Sequence, residues 1–150
     1  MMREVIRVLR PGGLVICCEW GYYAYPPDRA PGVFKFFDVV TQSLGQLGIY
    51  PVADVIPDLL AGSGQFDGIT PQLYYMPIGP WRADLNGQRI GRAFRAACRR
   101  FVEAVRPMLT NAGWSEEALY DIFSGYLHDL HTVSGMVNVY HTVHARKLAL

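Results

Sequence analysis

The sequence has few cysteines and no excess of either charge. Three cysteines among 150 residues, with Cys17 and Cys18 adjacent, do not make a disulfide framework, because neighbours on a strand point to opposite faces. Lysine and arginine number 14 against 13 aspartates and glutamates, which gives a net charge of +1. Nucleic-acid-binding domains usually concentrate positive charge on one face. We therefore expect a reducing compartment and no nucleic-acid partner.

Long apolar runs are missing as well. No stretch approaches the roughly 18 consecutive apolar residues that a membrane helix needs, and the opening Met1-Met2-Arg3-Glu4 lacks the form of a signal peptide. We expect a cytoplasmic protein with no membrane partner. The length of 150 residues, 51% of them hydrophobic, suits one domain over 1–150 with a real core.

The familiar catalytic motifs are also absent. The sequence contains no G-x-S-x-G, no Walker sequence and no G-x-G-x-x-G. Two H-x-x-H pairs occur, but no third ligand of fixed spacing follows His128 and His131, and an offset of three on a strand puts His141 and His144 on opposite faces. The adjacent cysteines lie in an apolar strand, where burial raises the thiol pKa. We expect no metal site and no cysteine nucleophile.

Hydrophobic periodicity predicts an α/β chain of helices and strands. Ser115 has the features of an N-cap, since Glu116 and Glu117 follow it in the first turn. The helices are predicted near residues 1–10, 34–44, 51–60, 90–105 and 115–130, and the strands near 14–18, 66–76 and 136–147.

The opening stretch RVLRPGGLVICCEWG, residues 7–21, carries the most specific pattern. Pro11 and two glycines end the first helix and permit a sharp reversal. The run from Leu14 to Cys18 has no polar alternation, which is typical of a strand covered on both faces. The next residues, YYAYPPDRAPG (22–32), are aromatic and rich in proline, which is typical of an ordered loop or lid.

RVLRPGGLVICCEW resembles the segment of S-adenosylmethionine-dependent methyltransferases in which the helix after the fourth strand ends in a proline-glycine-glycine turn and leads into the fifth strand. The later segments, including AGSG (61–64), PIGPW (77–81) and YHTVHARK (140–147), follow the same order. The whole chain is similar to the fungal branch of small-molecule methyltransferases. The resemblance implies a partial Rossmann-like α/β sheet holding strands five, six and an antiparallel seven, with flanking helices and a lid-like insertion at 22–65.

The resemblance implies a transferase whose cofactor is S-adenosylmethionine (SAM) and whose acceptor is a small organic molecule. In that family SAM lies mainly on a glycine-rich loop after the first strand and on an acid that ends the second. Neither can be assigned in this sequence, so the cofactor-binding residues are unknown. The chain is expected to be a C-terminal half, a truncated domain that is inactive alone. The alternative is a non-catalytic remnant that binds a partner chain or a ligand.

Ligands of open α/β sheets bind beyond the carboxyl ends of the parallel strands. That rule selects the residues that end strands five and six, the turn after strand six, and the start of the antiparallel strand. Glu19 is a weak candidate for a catalytic base, and its alternative is a buried acid paired with an arginine. Each aromatic candidate is also a reasonable core or loop anchor. The candidate substrate-binding residues are Trp20, Tyr22, Tyr23, Tyr75, Trp81 and Asn138.

The strand from Leu14 to Cys18 has a further implication. In the resembled family one of its neighbours comes from the N-terminal half, so in this chain the strand becomes a sheet edge. No lysine, proline or bulge protects it, and unprotected edges pair with other chains. We expect it to bind the N-terminal half or to drive self-association.

Overall fold

A computed structural model describes residues 2–21 and 28–149. These residues fall into two compact units. The sheet unit comprises residues 2–21, 51–75 and 139–149, and the helical unit comprises residues 28–50 and 76–138. Of the segment 22–65, residues 28–50 belong to the helical unit and residues 51–65 to the sheet unit. The single domain over 1–150 and the lid-like role of 22–65 stay predictions, and residues 22–27 lie outside the described residues.

The described residues form five helices and three strands, which confirms a mixed α/β fold. Most elements lie where periodicity placed them. Their bounds are α1 Met2–Val8, β1 Leu14–Trp20, α2 Pro31–Gln46, α3 Ile56–Gly62, β2 Phe66–Pro77, α4 Leu85–Asn111, α5 Glu116–Thr132 and β3 Val137–Lys147.

The sheet has the strand order β1-β3-β2. β3 runs antiparallel to β1, with Leu14 opposite Arg146 and Trp20 opposite Tyr140. β3 also runs antiparallel to β2, since the Leu148 amide after β3 donates to the Gln65 carbonyl before β2 at 2.9 Å, and the Thr142 hydroxyl within β3 donates to the Gln72 carbonyl within β2 at 3.3 Å. β1 and β2 are therefore parallel to each other and have their carboxyl ends at the same edge of the sheet.

One face of this sheet carries the core of the sheet unit. Val143 and Ala145 of β3 are buried there with Ile56 and Leu60 of α3 and with Phe66 at the start of β2. Apolar residues of α1 pack against the same cluster, so α1 and α3 cover this face. The Pro-Gly-Gly turn extends the sheet, because the Gly12 amide donates to the Lys147 carbonyl and the Lys147 amide to the Gly13 carbonyl, both at 2.8 Å.

The other face of β1 is open. Ile16 is 66% exposed and Leu14 is 45% exposed, and Cys18 on the same face is exposed too. The expectation of a strand covered on both faces is wrong for the described residues. The apolar run was a correct indicator of a strand, but only Val15 and Cys17 pack into the core.

Helices α2, α4 and α5 build the helical unit around an aromatic centre. The Phe36 ring of α2 stacks on the Tyr126 ring of α5, with ring centroids 4.0 Å apart. The α2 N-terminus is held by Asp129 of α5, whose buried carboxylate accepts from the Gly32 amide at 2.6 Å and the Val33 amide at 3.1 Å. These two hydrogen bonds satisfy two of the amide donors that the start of a helix leaves without partners.

Capping decides where the later helices begin. The Ser115 hydroxyl accepts from the Ala118 amide at 3.2 Å, as predicted for the start of α5. α4 begins earlier than predicted because Asp84 is also an N-cap and accepts from the Gly87 amide at 2.6 Å. The helix expected from Pro51 begins only at Ile56. Pro57 then lies in its first turn, where a missing amide hydrogen costs nothing.

Candidate functional site

The first candidate site is the carboxyl end of β1, which lies in the sheet unit. Trp20, which ends β1, lies opposite Tyr140 of β3, and their rings stack nearly parallel at 6.4 Å. The next residue continues the pairing, because the Gly21 amide donates to the Val139 carbonyl at 3.0 Å. Trp20 is half-buried. In the described structure its ring stabilises the end of the sheet, and substrate contact by Trp20 stays a prediction.

Glu19, the candidate base on β1, lies directly opposite His141 on β3. Its side chain is exposed, and no arginine in the described ranges forms an ion pair with it. The alternative reading of a buried acid paired with arginine is therefore wrong. An exposed strand-end carboxylate is free to contact a ligand, which leaves the catalytic role of Glu19 as a prediction.

His141 forms a polar pair that the sequence analysis missed. Its Nδ1 atom lies 3.2 Å from the Oδ1 atom of Asp54, a residue in the loop before α3. The His141 side chain is 22% exposed, whereas that of Asp54 is 66% exposed. A carboxylate at Nδ1 fixes the orientation of an imidazole ring and leaves Nε2 to accept or donate a proton.

Gly21 makes room for this histidine. A Cβ atom at Gly21 would overlap the Nε2 and Cδ2 atoms of the His141 ring, so the ring lies directly over the glycine backbone. Spacing could not have linked Asp54 to His141, which are far apart in the sequence, and the H-x-x-H pattern drew attention to metal binding instead. Gly21, which ends the EWG stretch, is the residue in the sequence that indicates a close approach by another side chain.

Tyr75 lies near the carboxyl end of β2 and is 63% exposed. It belongs to the sheet unit with Glu19 and Trp20. Tyr22 and Tyr23 were predicted to line the acceptor pocket and lie outside the described residues. Trp81 and Asn138 belong to the helical unit.

Trp81 lines an open pocket of about 220 Å³ within the helical unit. The pocket is formed by the turn that follows β2, by Arg95 of α4, and by residues 131–134 at the end of α5. The Trp81 Nε1 atom donates to the Met136 carbonyl at 2.9 Å, and the Ile78 amide donates to the same oxygen at 2.8 Å. These bonds hold the tryptophan in place as one wall of the pocket.

A pair of glycines seats the turn against α4. The Gly79 amide donates to the Gly91 carbonyl at 2.9 Å, and a Cβ at Gly91 would overlap the Gly79 carbonyl. Gly79 has φ of 93°, a conformation that side chains rarely adopt. A Cβ there would lie 3.4 Å from the Arg95 Nη1 atom, so the guanidinium group packs beside the turn.

Asn138 is the other predicted residue in the helical unit, and it is only 1% exposed. Within the described chain, neither its Oδ1 nor its Nδ2 atom has a hydrogen-bond partner. Leaving a buried polar group unpaired costs about 1–3 kcal/mol. Such a group in a native fold calls for an explanation, and a polar ligand is one.

The cysteines differ in environment. Burial raises the pKa of the Cys98 thiol to about 11. Burial, with a smaller contribution from the Glu19 charge, also raises the pKa of the Cys17 thiol. Cys18 is exposed, so the expectation that burial makes both strand cysteines inert is wrong for Cys18. Among residues 2–21 and 28–149, no three histidines, cysteines or acids are grouped to hold a metal ion.

Comparison with known proteins gives no assignment. No model of a known protein family matches the chain, and a search of curated proteins finds no relative. Every helix in the described ranges is too short or too polar to span a lipid bilayer.

Proposed function

We propose that this chain forms the C-terminal part of a SAM-dependent methyltransferase that acts on a small organic acceptor. The observation that carries the proposal is the sheet, in which β1 and β2 are parallel and the last strand, β3, is antiparallel to both. The resemblance implies this direction for the seventh strand.

The described residues do not by themselves form a SAM site. No strand among them leads into a glycine-rich loop at a helix start, which is the cradle expected for the cofactor. We therefore assign to this chain the acceptor side of the reaction only. SAM would be held by residues supplied from the N-terminal half of the domain.

The pair of His141 and Asp54 supplies a proton-accepting group on the acceptor side. Asp54 holds Nδ1, and the opposite nitrogen, Nε2, lies over Gly21 at the carboxyl end of β1. This is where open α/β sheets bind ligands. His141 Nε2 would take the proton from an acceptor hydroxyl or amine, and Glu19 opposite it would support the charge that forms.

Asn138 is a separate candidate for contact with a polar ligand, and it lies within the helical unit. Its buried amide has one donor group and one acceptor atom without partners in the described structure. A polar group of a ligand bound within the helical unit would satisfy both, and a site built to bond a polar group rejects ligands that lack it. This role agrees with the selection of Asn138 from its place at the start of the last strand.

A methyl-transfer assay tests the proposal on the chain extended upstream along its own genomic reading frame. The assay follows labelled methyl groups from SAM to a panel of small hydroxyl- and amine-bearing acceptors. His141→Gln should lower kcat at least 100-fold while leaving SAM affinity unchanged, and the matched variant His144→Gln should behave like the parent because His144 is exposed on the other sheet face.

A second candidate function is partner binding through β1, and the open face of that strand favours it. Leu14 and Ile16 are both exposed, and β1 is an edge of the three-stranded sheet. Burying each such side chain is worth roughly 1.5–3 kcal/mol, and the edge offers unpaired backbone groups. The occupant that fits best is a strand of the same domain's N-terminal half, with self-association as the outcome when that half is missing.

A further inference from the structure

The pocket beside Trp81 has features that methyl transfer does not require. Its lining contains the guanidinium group of Arg95, the imidazole of His131 and the hydroxyls of Thr132 and Ser134. None of the described residues that line it is an aspartate or glutamate. The side chains that line this pocket therefore carry at least one fixed positive charge and no carboxylate.

Arg95 is available for a ligand. It forms neither an ion pair nor a hydrogen bond with any residue in ranges 2–21 and 28–149, and it is half-buried. The acids closest to this region in sequence are engaged elsewhere: Asp129 caps α2, and Glu103 pairs with Arg106. A half-buried guanidinium without a counter-ion favours an anionic ligand, because burial weakens the hydration of its charge.

The Arg95 guanidinium lies against the turn that follows β2. It packs beside Gly79, where a side chain would crowd it, and the turn that holds Gly79 is bonded to α4 through the Gly91 carbonyl. A planar guanidinium presents two parallel N–H groups that match the two oxygens of a carboxylate.

Trp81 gives the pocket a flat apolar wall. Its indole N–H is already bonded to the Met136 carbonyl, so the ring cannot turn away without breaking that bond. Ile78, Pro80 and Val133 add further apolar surface. The volume of about 220 Å³ exceeds the roughly 150 Å³ cavity that holds benzene in an engineered core. There is room for one aromatic ring and a short acidic arm.

From this combination we infer that the pocket binds a small aromatic carboxylate, with its carboxyl group on Arg95 and its ring against Trp81. The inference goes beyond the proposed function, since it concerns binding by the helical unit and holds whether or not the chain takes part in methyl transfer. Its failure would leave the methyltransferase proposal standing.

The test is calorimetric and NMR titration of the 150-residue protein with three probes: phenylacetate, its neutral analogue phenylacetamide, and inorganic phosphate. We expect phenylacetate to bind at least tenfold more tightly than either of the other two. Equal binding of phenylacetamide would overturn the role of the charge. Equal or tighter binding of phosphate would overturn the role of the aromatic wall.

Variants locate the site. Arg95→Gln should weaken phenylacetate binding at least tenfold, while Arg99→Gln, an exposed arginine on the same helix, should change it less than twofold. Circular dichroism checks that each variant is folded. If Arg95→Gln does not fold, Arg95→Lys keeps the charge but loses the fork, and an intermediate loss of affinity is expected. Unchanged binding in a folded Arg95 variant would overturn the inference.

Discussion

Single residues set the local geometry within each unit. Gly21 makes space for the His141 ring, and Gly91 makes space for the turn that carries Trp81. Each glycine is explained by a neighbour far away in the sequence. Periodicity indicates which residues lie on a helix or strand, but it cannot indicate which backbone atoms another segment approaches. The pairing of His141 with Asp54 was missed for the same reason.

Gly91→Ala should destabilise the helical unit. Alanine is the better helix former by about 1 kcal/mol, but here its Cβ would overlap the Gly79 carbonyl. The overlap should outweigh the propensity and lower the free energy of unfolding by about 1–3 kcal/mol. Urea denaturation followed by circular dichroism measures the change.

Gly45→Ala in α2 is the matched control. Its Cβ would meet only the Tyr50 ring at 3.8 Å, an ordinary contact. We expect this variant to be as stable as the parent or more stable by up to about 1 kcal/mol. If Gly91→Ala were as stable as the control, that result would contradict the close contact between the turn at Gly79 and α4.

Cysteine reactivity should follow burial. Because the pKa of Cys98 is raised to about 11, only about one thiol in a thousand is ionised at pH 8, and the thiolate is the reactive form. In the folded protein, iodoacetamide at pH 8 should modify exposed Cys18 first and Cys98 only after unfolding. Peptide mass spectrometry identifies the modified residue. Early modification of Cys98 would contradict its burial.

The same shift gives a pH dependence. A pKa that is higher in the folded than in the unfolded state means that folding favours the protonated thiol. This contribution is fully present below the ordinary thiol pKa of 9.0 and is lost as pH rises through about 11. The urea concentration at the unfolding midpoint should therefore decrease as the pH is raised from 9.0 to about 11. The decrease should be smaller in the Cys98→Ala variant.

At the scale of elements, the sequence predicted the helices and strands better than their surroundings. Apolar spacing located α2, α4, α5 and β3, and Ser115 marked the start of α5 correctly. The sequence predicts the start of α3 too early, because Pro57, and not Pro51, lies in its first turn. The prediction that β1 is buried on both faces is wrong for one face. Apolar content indicates a strand, but it does not indicate which other elements are present to pack on it.

Ile16→Lys should reduce association through β1. Ile16 is 66% exposed on the open face of an edge strand, and charged side chains protect such edges. At about 100 μM, a concentration at which unpaired edges commonly associate, light scattering should show the parent as dimers or larger species and the variant as smaller ones. Amide hydrogen exchange on Leu14 to Cys18 should be fast in the monomer.

Ile49→Lys is the matched control, because Ile49 is also exposed, at 52%, but lies outside the sheet. It should associate like the parent. A monodisperse parent monomer with well-protected amides from Leu14 to Cys18 would show that the edge is already covered and would contradict the fragment interpretation.

At the scale of the whole molecule, the described residues make two units with different contributions. The sheet unit supplies the pair of His141 and Asp54 at the carboxyl end of β1, and the helical unit supplies Asn138 and the pocket beside Trp81. The strand directions are those that the methyltransferase resemblance implies. The described residues do not include the glycine-rich loop that would hold SAM. These facts together support a chain that contributes the acceptor side of a larger domain.

SAM binding is the most direct test of this account. Calorimetric titration is carried out on the 150-residue chain and on the same chain extended upstream along its genomic reading frame. The account predicts no binding by the shorter chain tighter than roughly 10 μM, about −7 kcal/mol, and clear binding by the extended one. Tight binding by the shorter chain, no binding by the extended chain, or a stop codon directly upstream would contradict it.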